Sequence, residues 1–148
     1  NSRKTAVEQE LGAQFRTLDQ LLAESDFVCL VVPLSEKTQH LISTRELGLM
    51  KKSAILVNIA RGPIVDEAAL IEALQNGTIR GAGLDVYEKE PLAESPLFQL
   101  SNAVTLPHIG SATHETRQAM ADRAYHNLRA ALLGEKPQDL VNQQVWKG

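Results

Sequence analysis

The sequence predicts an α/β fold built on a parallel sheet, and three observations carry that prediction. Short apolar and β-branched runs alternate along the chain with segments whose apolar residues recur at helical spacing. The run Asp26–Val32 is nearly continuous in apolar residues, as expected for a strand covered on both faces. Chemistry-bearing residues gather where such runs end. Arg61 follows the run 54–59, Asp85 and then Glu88 and Glu90 close the run 81–86, and His108 follows the run 103–106. In an open parallel sheet the carboxyl ends of the strands are where ligands bind. A guanidinium, a carboxylate and an imidazole there are the parts needed to hold and protonate a small anionic carbonyl compound.

Taken in order, residues 1–5 read as a polar loop, and Ala6–Leu11 as a short helix closed by Gly12. Residues 13–16 read as a brief strand. Thr17-Leu18-Asp19-Gln20 has capping-box spacing, and Leu18, Leu21 and Leu22 give the next helix an apolar face. Pro33 stops the strand 26–32, within which Cys29 reads as a small buried hydrophobe. Ser43-Thr44-Arg45-Glu46 is a second capping box, opening a helix towards Met50, with Lys51-Lys52 as its solvated end. After the strand 54–59, Asp66 caps a helix that stops at Asn76-Gly77. After the strand 81–86 comes an irregular stretch with Pro91 and Pro96, holding one helical turn at 97–100. A buried strand 103–106 stops at Pro107, and from Thr113 a longer helix runs to about Leu133, with Gly134 as its stop. A polar tail follows, anchored by burial of Trp146.

The 148 residues suffice for a real core, and 43% apolar with 22% charged residues describes a soluble globular chain. A net charge of -3 argues against nucleic acid or an anionic membrane as partner. No apolar run is long enough to cross a bilayer, and one cysteine suits a reducing compartment, so the location is read as cytoplasmic. The chain opens on Asn1-Ser2-Arg3-Lys4 without a methionine, which reads as a cut from something longer. His40, His114 and His126 lack metal-ligand spacing with cysteine or carboxylates, so no metal site is expected. Gly-x-Gly-x-x-Gly after a first strand is absent; the glycines of 77–83 precede a strand instead.

Asn58-Ile59-Ala60-Arg61-Gly62, Gly83-Leu84-Asp85-Val86-Tyr87-Glu88-Lys89-Glu90-Pro91 and Pro107-His108-Ile109-Gly110-Ser111-Ala112-Thr113 stand in this order. Together they resemble the D-isomer-specific 2-hydroxyacid dehydrogenases, and within that family the glyoxylate/hydroxypyruvate reductases, also named 2-ketogluconate reductases. The resemblance implies the distal part of a Rossmann-like NAD(P)-binding domain over residues 1–112. Residues 113–148 would be a helix and tail returning to a substrate domain absent from this chain. It implies an oxidoreductase that reduces a small 2-oxoacid (glyoxylate, hydroxypyruvate or 2-ketogluconate) to the D-2-hydroxy acid, working as a homodimer at full length.

The same resemblance implies roles, each with a plainer alternative in the residues themselves. His108 is the proton donor to the carbonyl oxygen, against a neutral histidine capping the next helix. Glu90 is its carboxylate partner, because it matches the family's Glu-Pro pair; Glu88, next best by position, is read as a solvated loop charge. Arg61 clamps the substrate carboxylate, against a surface salt bridge. Asp85 orients the nicotinamide, against a turn cap. Pro33, Thr38, Ile59 and Gly110 contact cofactor, and Arg61 and His108 lie within reach of both cofactor and substrate. Ser2, Arg3 and Lys4 fall where NAD-preferring members carry an aspartate, so NADP(H) is preferred and NAD(H) possible. The rival there is a basic chain end without a role. For the chain as a whole the rivals are a non-catalytic nucleotide-binding or corepressor-like module and an inactive fragment of the reductase.

Overall fold

The structure is a computed structural model and describes residues 4–146. Four parallel strands form one sheet: β1 (Phe27–Leu30), β2 (Ile55–Asn58), β3 (Gly81–Leu84) and β4 (Ala103–Thr105). Their spatial order is their sequence order. The helices are α1 (Thr5–Glu10), α2 (Leu18–Glu24), α3 (Thr44–Leu49), α4 (Glu67–Gln75) and α5 (His114–Leu132), with single turns of 3-10 helix at Gly62–Ile64, Pro96–Gln99 and Gln143–Val145. The α/β reading and every expected strand from β1 to β4 are present. The chain forms two compact units, one ending at Pro107 and the other beginning at His108, ahead of the expected break after residue 112.

In the first unit, register decides what is buried. Val28, Leu56, Ala82 and Ala103 stand side by side across the sheet, as do Leu30, Asn58, Leu84 and Thr105. These rows face Leu22 of α2, Leu47 of α3, Leu70 and Leu74 of α4, and Leu97, which together make the core. The alternate row is different. Phe27 is 70% exposed and Val104 63% exposed, and Cys29 is exposed too. Two expectations are thereby corrected: β1 is not covered on both faces and β4 is not a buried strand. Cys29 is likewise not a buried hydrophobe. The cause is topological. Consecutive strands laid down in one direction with right-handed crossovers send every connecting helix to the same face. The run 13–16 is not a strand either, because no described strand lies beside it, and Phe15 is exposed.

The caps follow the sequence closely. The Thr17 hydroxyl accepts from Gln20 N–H at 3.4 Å, and the Gln20 side chain accepts from Thr17 N–H at 3.1 Å. Glu46 accepts from Ser43 N–H at 3.2 Å, while the Ser43 hydroxyl donates to Asp66 at 2.9 Å. Asp66 caps α4 by accepting from Ala69 N–H at 3.1 Å. Gly12, Gly77 and Gly134 all stop helices with positive φ.

The second unit is built on α5. Thr113 caps it, accepting from Thr116 N–H at 3.2 Å. The tail folds back along the helix: Asn127 exchanges hydrogen bonds with Asp139, and Arg123 meets both Gln138 and Asp139. Trp146 is half-buried. None of the α5 residues is buried, and its large apolar side chains Met120, Leu128 and Leu132 are exposed.

Asp66 gives a test of the cap. The Ala69 N–H bond, with help from the Ser43 hydroxyl and against the cost of burial, holds its carboxyl below the ordinary value. A depressed folded-state value means the stabilisation is complete above the unfolded value of about 3.9 and is lost as pH falls through the folded value. Asp66→Ala should cost about 1–2 kcal/mol at pH 7 in denaturant unfolding, and the difference from the parent chain should shrink in strong acid.

Candidate active site

The site begins with Asn58, the last residue of β2. Its side chain is buried, and its amide spans the following turn: Nδ2 donates to the Arg61 carbonyl at 3.0 Å and Oδ1 accepts from Ala60 N–H at 3.1 Å. This fixes the backbone that presents Arg61. The sequence reading gave Asn58 no role; the available signal was an Asn at a strand end, able to bond its own backbone two and three residues on. The Arg61 side chain is exposed, and its Nη1 donates to the Ala60 carbonyl at 2.6 Å.

Behind Arg61 the chain has no room for a side chain. A Cβ on Gly62 would lie 1.8 Å from the carbonyl carbon and oxygen of Tyr87. The end of β2 and the loop after β3 therefore press backbone to backbone. That loop is internally braced. The Tyr87 hydroxyl donates to the carbonyls of Leu84 (3.2 Å) and Leu106 (2.8 Å), and Tyr87 N–H donates to Glu90 Oε1 at 3.0 Å. Burial pushes the Tyr87 phenol above its ordinary value, so it remains a neutral donor. Asp85 is buried where β3 ends, with its N–H on the Asn58 carbonyl at 3.0 Å. Arg61, Asp85 and Glu90 thus stand on two touching segments of the first unit.

Beyond the ends of β1 and β2 lies a crevice of ≈ 500 Å³, lined by Val31, Val32, Pro33, Leu34, Ala60 and Arg61. Its size falls in the range of small-molecule sites, and its lining mixes apolar side chains with polar surface and the guanidinium. Thr38 does not line it but braces the lining residue Pro33: its hydroxyl donates to the Pro33 carbonyl at 2.7 Å and accepts from Ser35 N–H at 2.8 Å. Ile59 is exposed at the end of β2. Lys4 is exposed at the start of α1, while Ser2 and Arg3 lie outside the described residues.

Glu88 was expected to be a solvated loop charge; it is an exposed loop residue, but the structure adds partners to it. Its Oε1 meets His40 Nε2 at 2.8 Å and accepts from Glu67 N–H at 3.2 Å. Glu88 N–H in turn donates to Glu67 Oε2 at 3.3 Å. Burial first, and the Glu88 charge second, raise the Glu67 carboxyl above its ordinary value.

His108 and Gly110 belong to the second unit. His108 is exposed and has a φ of +54°, a left-handed conformation costing a non-glycine residue about 1–3 kcal/mol. It is not the cap of the next helix, which is Thr113. Gly110 sits in a turn closed by Ala112 N–H on the Ile109 carbonyl at 2.9 Å. Among the described residues no cluster of histidine, cysteine and carboxylates could hold a metal ion, and no helix is long and apolar enough to cross a membrane.

Comparison with known proteins adds four findings. Residues 1–110 match the family model of the D-isomer specific 2-hydroxyacid dehydrogenase NAD binding domain. The chain is 59% identical over 150 aligned positions to glyoxylate/hydroxypyruvate reductase B of Serratia proteamaculans, covering 99% of this chain and 46% of that protein. Among solved structures it resembles a glyoxylate reductase from Paecilomyes thermophila (TM-score 0.84, 40% identity, 97% of this chain and 43% of that one). It also resembles the NADPH-dependent glyoxylate/hydroxypyruvate reductase of Sinorhizobium meliloti in complex with NADP and malonate (TM-score 0.80, 38% identity, 89% and 40%). The chain spans less than half the length of each of these proteins.

The contact behind Arg61 can be tested by two matched substitutions. Gly62→Ala must displace the Tyr87 backbone and should cost about 3 kcal/mol or more. Gly48→Ala, inside α3 with open space around the added carbon, should instead raise stability by about 0.5–1 kcal/mol. Thermal melting of the two variants beside the parent chain reads both effects.

Proposed function

Because the chain belongs to the D-isomer specific 2-hydroxyacid dehydrogenase family, we propose that it supplies the distal half of the active site of a 2-oxoacid reductase. The intact protein uses NADPH to reduce glyoxylate, hydroxypyruvate or 2-ketogluconate to the D-2-hydroxy acid, working as a cytoplasmic homodimer. The observation that carries this reading is the arrangement behind Arg61. A buried amide and a side-chain-free contact fix the backbone that carries a guanidinium at one strand end, beside the loop bearing Asp85 and Glu90. Such rigidity suits a group that must grip a carboxylate in one orientation.

The residues fit a dinucleotide. A crevice opens at the carboxyl ends of two adjacent parallel strands, with a buried carboxylate where the third ends. Pro33 and Ile59 would line that group, Thr38 would brace Pro33, and Asp85 would orient the nicotinamide. When bound, the cofactor supplies a hydride to the carbonyl carbon of the substrate. Arg61 holds the substrate carboxylate through paired hydrogen bonds and places positive charge beside the oxygen that becomes an alkoxide. His108 donates a proton to that oxygen, so hydride and proton together complete the hydroxyl group. Glu90 favours the charged imidazole and orients it. The left-handed backbone of His108 is the kind of strain that active sites hold. Gly110 gives the chain a close path past the substrate.

The NADP preference rests on the hydroxyl and two cations of Ser2-Arg3-Lys4, which suit a 2′-phosphate. It agrees in sign with the Sinorhizobium meliloti relative, an NADPH-dependent enzyme.

The test is hydroxypyruvate-dependent NADPH oxidation by the full-length protein. His108→Gln should lower kcat by about 10²–10⁴-fold while leaving nucleotide affinity little changed. Turnover near that of the parent would reject the assignment, and equal affinity for NADH and NADPH would end the cofactor preference.

A further inference from the structure

We infer that Glu88 is a positioning residue, which with His40 and the first turn of α4 clamps the loop carrying Asp85 and Glu90 onto the segment carrying Arg61. The inference rests on the reductase reading for what the clamp serves, but its geometry stands apart from it.

Three segments meet at Glu88. The loop before α3 contributes His40, whose Nε2 lies 2.8 Å from Glu88 Oε1. The segment after Arg61 contributes Glu67 N–H, at 3.2 Å from the same oxygen. The loop after β3 contributes Glu88 itself, whose own N–H returns to Glu67 Oε2 at 3.3 Å. The first two segments are also tied to each other. His40 N–H donates to the Pro63 carbonyl at 2.8 Å, and Ile42 pairs with Val65 in an isolated parallel bridge. His40 has a φ of +48°; with His108 it is one of two described non-glycine residues with positive φ. A strained backbone is kept where surrounding contacts determine it.

The energy of the pair is not its point. Both side chains of the His40–Glu88 pair are about two-fifths exposed, at 44% and 38%, and ion pairs that open to water contribute little stability. What the contacts do is fix direction. Glu88 lies two residues from Glu90 and three from Asp85, on the chain that Gly62 already touches at Tyr87. Gly62 stops the loop from moving inwards, and Glu88 stops it from lifting away. Removing the Glu88 carboxylate loosens the loop at this point, where its own N–H on Glu67 Oε2 is the contact with α4 that remains. An ångström of freedom at such a loop is enough to lower turnover about 10²-fold.

The experiment compares Glu88→Ala and Glu88→Gln in the full-length protein, with three readouts: thermal melting, kcat and KM for NADPH-dependent hydroxypyruvate reduction, and amide exchange over residues 85–91. Gln keeps an acceptor oxygen for both His40 and Glu67 N–H; Ala removes it. The expected result is faster exchange over 85–91 in Glu88→Ala, with kcat lowered by about 10–10²-fold and KM for the oxoacid little moved, while Glu88→Gln restores both exchange and kcat. His40→Asn, which tolerates the left-handed backbone, should shift exchange in the same direction as Glu88→Ala. Unchanged exchange over 85–91 in Glu88→Ala overturns the clamp whatever the enzyme does. So does a kcat equal to the parent's in a parent that turns over. A parent protein without hydroxypyruvate reduction defeats the reductase reading instead, and the exchange data alone then decide the clamp.

Discussion

The structure depends on one contact that leaves no space: the backbone of Gly62 lies against the backbone of Tyr87. Strand order alone would bring the ends of β2 and β3 side by side, since the two strands pair from Ile55 with Gly81 to Asn58 with Leu84. It would not hold the loops beyond them together. The missing side chain at Gly62, Asp85 N–H on the Asn58 carbonyl and the bonds between Glu67 and Glu88 do that, while the Asn58 amide and the Tyr87 hydroxyl brace the two loops from within. Arg61 is thus presented by a turn whose every polar backbone partner named here is satisfied within the protein. A guanidinium on a long flexible side chain becomes useful for recognition only when its root is fixed in this way.

Much of this was legible in the sequence, because it depends on local chemistry. Thr17, Asp66 and Thr113 announce the helix starts they cap, and Gly77 and Gly134 the stops. The four strands declare themselves by apolar runs ending in a Pro, an Arg-Gly step or an Asp. What the sequence could not reveal depends on neighbours distant in the chain. Phe27, Cys29 and Val104 carry the composition of buried residues, yet they point to the face opposite the connecting helices. Residues 13–16 have the composition of a strand and lack a described strand to pair with. Glu88 looked idle because its partner His40 lies 48 residues away. A lone acidic residue in a loop carries no mark of such a partner.

The division of labour follows the topology. The first unit carries Arg61, the crevice beyond β1 and β2, Asp85 and Glu90; the second begins with the strained His108. The chain matches 46% of the length of the Serratia proteamaculans relative, and its residues 1–110 match the NAD binding domain of the family. In a parallel α/β fold chemistry is placed at strand ends and specificity is added by what packs above them.

The central claim is that a guanidinium fixed at the end of β2, a carboxylate from the loop after β3 and the imidazole that follows β4 act on one bound molecule. A crystal structure of the full-length protein with NADP and oxalate, an unreactive analogue of glyoxylate, tests it most directly. The account predicts the Arg61 guanidinium paired with one carboxylate of the oxalate, one His108 nitrogen within hydrogen-bond distance of its other end, and Glu90 on the second nitrogen. Oxalate seated away from Arg61, or an imidazole turned from both oxalate and Glu90, would contradict it.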